Sequence, residues 1–328
     1  MFYIALPFAD TQRLSFYLAM EEFLARHTDI DECFFMWQVK PTVIFGRNQL
    51  IENEVNMDYC REHEIQTYRR KSGGGCVYAD MNNIMFSYIN SGENVTMTFD
   101  KYINMVVEVL KQLGLEAYTS GRNDILIDGK KVSGNAFYHT PGRNIVHGTM
   151  LFDTHWQNMI GSITPSEEKL VSKGVESVRQ HVTLLKEYLD IDIETFKNFV
   201  RTHLCDREIV LTEADVERIR EIEQEYLDPA YIYGNNPRYT LRHRRRLEGC
   251  GEFDVSLELK NDVLKAVELK GDFFPVGDLN ELLAHFKNIP YTTNAIIEAL
   301  EDINVSNYIL GLSAESLAKV ICPNSESR

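Results

Sequence analysis

Three basic side chains, Arg69, Arg70 and Lys71, run into Ser72 and three consecutive glycines, Gly73, Gly74 and Gly75, ahead of Cys76, Val77, Tyr78, Ala79 and Asp80. Glycine loses more conformational freedom on folding than any other residue, so a run of three answers a demand for bare backbone. Successive N–H groups without side chains in the way can turn toward one concavity and hold an anion, and the neighbouring cations add positive charge. The residue types therefore specify an anionic ligand. Neither GxxxxGK[ST] nor GxGxxG occurs, which separates the stretch from the P-loop and the dinucleotide fingerprint. Taken alone, it reads equally as a tight strand-to-strand turn whose basic residues face water.

A second set of chemical groups lies in "NDILIDGKKVSGNAFYH", residues 123–139. Asp128-Gly129 between two apolar-rich segments predicts a two-residue type I′ hairpin loop. That loop sets Ile127 opposite Lys130, Leu126 opposite Lys131, Ile125 opposite Val132 and Asp124 opposite Ser133. Side chains alternate across the pleat, so Lys131, Ser133, Leu126 and Asp124 share one face, with Lys131 diagonal to Asp124. An ammonium, a hydroxyl and a carboxylate are expected to converge, while Lys130 points the other way. Without further context these are an exposed lysine near a turn and a cross-strand polar pair.

The elements that must position these groups alternate irregularly. "FFMWQ" and "TVIFG" read as neighbouring strands around Pro41, and "IMFSYI" as another strand. "LSFYLAMEEFLARH" contains good helix formers without Gly or Pro. "TFDKYINMVVEVLKQLG" repeats apolar residues at Phe99, Ile103, Val106, Leu110 and Leu113 and stops at Gly114. From Gln157 to Leu227 the sequence is helical and charged. After the turn-rich "YGNNPRYTLRHRRRLEGCG", two strands are expected around Asn261-Asp262, then helical sequence to about Val320. This order implies an α+β protein with a mixed or antiparallel sheet in residues 1–243 and a small second domain in residues 244–328.

Composition sets the outer bounds. The 328 residues suffice for two domains, and 44% hydrophobic with 25% charged residues is ordinary for a globular chain. No apolar run approaches the length of a bilayer span, and the N-terminal "MFYIALPFADTQ" has neither secretory-leader nor transit-peptide character, so a cytoplasmic protein is expected. A net charge of −15 disfavours nucleic acid and anionic membrane as partners. Six cysteines are scattered without CxxC or metal-ligand spacing and read as free thiols. "RHRRR", Arg242 to Arg246, is a local basic exception that reads as a solvated linker or as a docking patch for an acidic partner.

Several of these stretches together resemble the lipoate-protein ligase family. "RRKSGGGCVYAD" looks like its RRxSGGGxVxxD signature; "SGRNDILIDGKKVSGNA" resembles its GRND and K-[IV]-SG-[SN]-A segments; "VHGTMLFD" resembles its HGTLL segment. "LAMEE" and the tryptophan of "FFMWQVKPTVIFGRNQ" also fall where the family has LAxEE and a Trp-containing strand. The motifs are colinear over most of residues 1 to 180, and the trailing small domain is family-like too. The resemblance implies an α+β catalytic domain of the biotin and lipoate ligase type with a small C-terminal α/β domain. It also implies two reactions: lipoate attacks the α-phosphorus of ATP to give lipoyl-AMP and diphosphate, then a lysine of a lipoyl carrier domain attacks that anhydride. The implied carriers are 2-oxoacid dehydrogenase E2 subunits and the glycine cleavage H protein, the implied metal is Mg²⁺, and the protein is expected to act as a monomer.

On that resemblance Lys131 is the catalytic residue, holding α-phosphate and carboxylate oxygens together as charge develops. Nucleotide positions are Arg70, Ser72, Gly73, Gly74, Gly75, Cys76, Val77, Tyr78, Asn83, Asp124 and Lys131, with Asp124 also a candidate for Mg²⁺. Lipoate positions are Glu21, Trp37, Arg70, Ser133, Gly134, Ala136, His147 and Gly148, forming an apolar tunnel that ends near Trp37. Ala79 departs from the family, which often carries His there. Rival readings are an ATP-independent octanoyl or lipoyl transferase with a cysteine nucleophile, a non-catalytic adaptor binding nucleotide or carrier, and a biotin ligase, whose GRGRxGR-type loop is missing. No cysteine is singled out as a nucleophile.

Overall fold

The computed structural model describes residues 1–49, 51–92, 94–121, 123–163, 181–233, 241–260 and 263–323. They form two compact units: Met1–Phe45, Ile51–Arg70 and Cys76–Tyr233 make the larger, and Gly46–Leu50, Lys71–Gly75 and Gly234–Arg328 the smaller.

In the larger unit the chain runs β1 (Phe2–Ala5), α1 (Leu14–His27), β2 (Glu32–Trp37), β3 (Thr42–Phe45), α2 (Ile51–Glu54), α3 (Met57–Glu62), β4 (Gln66–Arg69), β5 (Val77–Ala79), β6 (Ile84–Ser91) and α4 (Val95–Gln112). It continues through β7 (Ala117–Thr119), β8 (Asp124–Ile127), β9 (Lys130–Thr140), β10 (Arg143–Met150), α5 (Trp156–Ser162), α6 (Ile193–Leu204), β11 (Arg207–Val210), α7 (Glu213–Leu227) and α8 (Pro229–Tyr233). Eight strands make a mixed sheet in the order β11-β1-β2-β6-β10-β9-β8-β7, and β4-β3-β5 make a second, smaller sheet. The strands at Phe34 and Ile44 are thus not neighbours. β2 pairs with β1 and β6, whereas β3 pairs with β4 and β5.

Helix α1 is apolar on nearly every side, with Leu14 through Ala25 all buried, as befits a helix packed on several sides. Its side chains share one core with Ile4, Phe35, Trp37, Met85 and Ile145 of the large sheet, Ile44, Tyr68 and Ala79 of the small sheet, and Val216, Ile219 and Tyr226 of α7. Helix α4 takes the opposite face of the large sheet, its Phe99 ring 5.0 Å from that of Phe137. The Asn94 side chain caps its N-terminus by accepting from Met97 N, and Gly114, at φ +82°, ends it.

In the smaller unit β12 (Leu241–Leu247), β13 (Gly251–Lys260) and β14 (Val263–Gly271) form an antiparallel sheet, followed by α9 (Leu279–Ala284), α10 (Thr293–Glu298) and α11 (Ala314–Ile321). Its own core gathers Phe253, Val255, Leu257, Phe273, Phe286, Ile296, Leu317 and Val320. The basic run is therefore a strand and not a linker: Leu241 to Leu247 all pair with β13. A boundary at 243/244 would cut that strand. His243 Nε2 lies 2.7 Å from the carbonyl of Val320 and Arg245 donates to that of Lys319, both at the C-terminal end of α11, where cations and donors are favoured. Arg244 pairs with Glu252 and Asp254. Asn261 and Asp262 lie outside the described residues. Among those described, no helix is long and apolar enough to cross a membrane.

Candidate active site

The hairpin loop has the backbone its sequence demands: Asp128 at φ +51° and Gly129 at φ +75°. Ile127 pairs with Lys130 and Leu126 with Lys131, but the register then shifts, so that Ile125 faces Ser133 and Asp124 faces Gly134. A bulge at Val132 inserts one residue, which corrects the expected pairings of Ile125 with Val132 and Asp124 with Ser133. Its consequence is chemical. Ser133 turns to the face of Ile125, is buried there, and meets Asn135, with Asn135 Nδ2 donating to Ser133 Oγ at 3.1 Å. The hydroxyl expected beside Lys131 is absent from that face, and Gly134 takes its place.

That glycine is needed. A Cβ at position 134 would lie 2.6 Å from Lys131 Nζ and 3.6 Å from Asp124 Oδ1. Through the gap, Lys131 Nζ reaches Asp124 Oδ1 at 2.8 Å, with both side chains about one-third exposed at 33% and 28%. The ammonium is thus held by a carboxylate yet open to a ligand.

The ladder registers lay out the rest of this face. Cross-strand partners share a face, so one row runs Phe35, Ser87, His147, Ala136 and the next runs Trp37, Met85, Thr149, Gly134, Asp124. Glu21 of α1 comes down onto the first row. Its Oε1 accepts from Ser87 Oγ at 2.5 Å, and its Oε2 lies 2.9 Å from His147 Nδ1. Ser87 Oγ in turn accepts from Trp37 Nε1 at 2.8 Å, and the indole stacks on Tyr17 with ring centroids 4.8 Å apart. Trp37, Ser87, Glu21 and His147 are all buried. A carboxylate can only accept, so His147 donates its Nδ1–H to Glu21. From Gly134 to Ser87 is two strands across and two residues along, about 12 Å, the reach of an extended medium-chain acyl group.

The sheet thus brings Lys131, Asp124, Gly134, Ala136, His147 and Trp37 onto one face, beneath Glu21. Ser133 and Gly148 lie on the other: a Cβ on Gly148 would meet Asn135 Oδ1 and the Tyr102 hydroxyl at 1.9 and 3.1 Å. Ser87 escaped the sequence reading, although a single small polar residue within "IMFSYI" was its signal. Arg70 follows β4, its backbone N–H donating to Phe45 O and its guanidinium to Ile44 O. Burial lowers its pKa to about 10, with Cys76 and Tyr231 opposing. Val77 and Tyr78 lie on β5, an edge strand of the small sheet, with the Tyr78 ring in the core. Asn83 braces a turn: its Oδ1 accepts from Asp80 N and its Nδ2 donates to Asp153 O. Asp80 accepts from Asn82 N and His155 N, so the acid that closes the glycine motif is a structural brace. Burial raises the Cys76 thiol well above its ordinary pKa.

The glycine tract belongs to the smaller unit, where bare backbone serves close approach. A Cβ on Gly46 would lie 2.2 Å from Gly74 O, and one on Gly73 would lie 2.6 Å from Phe273 O. Gly74, at φ +85°, donates its N–H to Phe273 O at 3.3 Å, and Ser72 O accepts from Arg47 N. Among the described residues no group of three His, Cys, Asp or Glu side chains could hold a metal ion.

This α+β architecture is one that known proteins share. Residues 14–205 match the lipoyl protein ligase A/B catalytic domain and residues 236–321 the bacterial lipoate protein ligase C-terminus. Lipoate-protein ligase LplJ of Bacillus subtilis is 34% identical, covering 96% of this chain and 99% of that protein. Lipoate–protein ligase 1 of Staphylococcus aureus is 31% identical, covering 93% and 95%. The crystal structure of P. falciparum LipL1 in complex with lipoate has the same fold at 21% identity, with a TM-score of 0.76 over 94% of this chain and 95% of that one. A bipartite lipoate protein ligase from Thermoplasma acidophilum, solved in work on that ligase and its E2 lipoyl domain, gives a TM-score of 0.65 at 26% identity, over 73% and 98%. The chain belongs to the lipoate-protein ligase family of enzymes.

Proposed function

We propose that this enzyme activates free lipoate with ATP to lipoyl-AMP and passes the lipoyl group to a lysine of a lipoyl carrier domain, an E2 subunit or the glycine cleavage H protein. The observation that carries the reading is Lys131, held by Asp124 through the gap at Gly134 on the sheet face that also bears the buried network at Ser87, one acyl chain away. The first step brings two anions together. The Lys131 ammonium lowers that repulsion by touching carboxylate and α-phosphate oxygens as the carboxylate oxygen bonds to phosphorus and diphosphate leaves. Asp124 fixes where the ammonium sits.

Arg70, charged although buried, is assigned to phosphate, and the open edge of β5 at Val77 to adenine through backbone groups. The tract Ser72 to Gly75 is assigned to phosphate as well; for that role the Gly74 N–H exchanges the Phe273 carbonyl for a phosphate oxygen. Mg²⁺ suits a site with one carboxylate, because it binds through few protein ligands and the phosphates themselves; Asp124 is the side chain that would hold it, and the ion would neutralise phosphate charge. In the second step the carrier lysine attacks the acyl carbonyl, loses a proton, and AMP leaves. The catalytic domain carries the chemistry and the C-terminal domain, which includes the whole of β12 from Leu241, is accessory, in a cytoplasmic, monomeric enzyme.

Lipoate-dependent exchange of labelled diphosphate into ATP tests this directly, since a cysteine transferase or a binding adaptor catalyses none. A thiol pushed up by burial at Cys76 speaks for the ligase. Absence of exchange with ATP, Mg²⁺ and lipoate all present would refute the proposal.

A further inference from the structure

Ser87 sits in the middle of β6 with its backbone laddered to β2 on one side and β10 on the other, opposite Phe35 and His147. The backbone ladder therefore holds the strand whatever the side chain at 87. The hydroxyl adds something the ladder does not: direction. An indole N–H can only donate, so Ser87 Oγ accepts from Trp37 Nε1 at 2.8 Å and its single proton goes to Glu21 Oε1 at 2.5 Å. His147 donates Nδ1–H to the same carboxylate from the other side. Four side chains from β2, β6, α1 and β10 thus form one chain of donors ending on a carboxylate, with no solvent to substitute for a missing link; Ser87 and Glu21 are both 0% exposed.

We propose that Ser87 is a positioning residue of the acyl site: it fixes the plane of the Trp37 indole and the rotamer of Glu21, and through them the end wall against which the acyl chain of the substrate packs. The role rests on the ligase reading above. The hydroxyl touches neither the carboxylate nor the phosphate that react; its effect is on acyl-acid binding and not on the chemical step. Replacing it by a hydrogen leaves an indole donor and a carboxylate lone pair unsatisfied in a dry site, and the two groups must turn to find other partners.

The test is a KM-against-kcat split in lipoate-dependent diphosphate exchange. Ser87→Ala is expected to raise KM for lipoate about tenfold, with KM for ATP and kcat within about twofold. Trp37→Phe, which removes the donor and keeps a ring, is expected to raise it too, and the double variant to be no worse than the poorer single one. The two tryptophans give two indole N–H resonances in an ¹⁵N-labelled sample, and that of Trp37 should move in Ser87→Ala. A moved resonance with unchanged lipoate KM would overturn the role, as would fully additive effects of the two substitutions. Should Ser87→Ala fail to fold, an unchanged lipoate KM in Trp37→Phe overturns it instead. No exchange by the wild type would remove the ligase reading, while the indole spectrum would still report the bond.

Discussion

Gly134→Ala adds a single methyl group at the point where Lys131 crosses its own strand. The new Cβ would stand 2.6 Å from Nζ and 2.7 Å from Cε, against 3.6 Å from Asp124 Oδ1. Non-bonded heavy atoms settle near 3.5 Å, so the amine must retreat by about 1 Å while the carboxylate stays. An ion pair now at 2.8 Å then opens, and the ammonium leaves the position that serves both anions. A misplacement of that size costs about a hundredfold in rate for a group whose contribution is orientation. Stability should hardly change: the pair is about one-third exposed, such pairs contribute at most about 1 kcal/mol, and the side chain can swing into water. Lipoate-dependent diphosphate exchange and a thermal melt on the same sample separate the two effects, with Lys131→Ala setting the floor. Exchange within threefold of wild type would refute the idea that the gap at 134 positions the amine. A rate loss accompanied by a collapse of Tm would refute it too, by making the glycine structural.

Arg70→Met should raise KM for ATP at least about tenfold, because a buried guanidinium whose pKa burial has lowered to about 10 gains most from an incoming anion; an ATP KM equal to wild type would remove the assignment. Arg242→Glu with Arg246→Glu should raise the apparent KM for an acidic lipoyl domain and weaken its salt dependence, leaving diphosphate exchange unaltered, since both residues are exposed on the basic strand β12. An unchanged carrier KM would discard the patch. Alkaline pH should destabilise the fold. Burial raises the Cys33 thiol from 9.0 to about 12, so the folded state keeps a proton that the unfolded chain gives up, and the stability present below about pH 9 is lost as pH rises through about 12. Denaturant unfolding at pH 8 and pH 10.5 should show a fall that Cys33→Ala lessens by roughly 2 kcal/mol; an equal fall in the variant would exclude Cys33 as its source.

What the sequence made legible depends on how local the physics is. Helix α1, the stop of α4 at Gly114 and the Asp128-Gly129 loop follow from propensity and turn chemistry within a few residues, and each is where the sequence places it. The partner of a strand is a different matter. The sequences of β2 and β3 give no sign that they join different sheets. Four-residue β11, between two helices, and β12, with its arginines, are strands only because β1 and β13 offer them edges. The site divides in the same way. Lys131 and Asp124 are brought together as alternation predicts, yet the bulge at Val132 reassigns the third member of their group from Ser133 to Gly134. A bulge costs one unpaired residue and is chosen by the packing of the whole sheet, so no pattern within the hairpin announces it. Here it exchanges a hydroxyl for an empty space, and the space is what lets the lysine reach the carboxylate. Strict alternation would set a polar side chain beside Lys131. A site that must bring a long, flexible amine to one fixed point depends equally on the side chain that is missing.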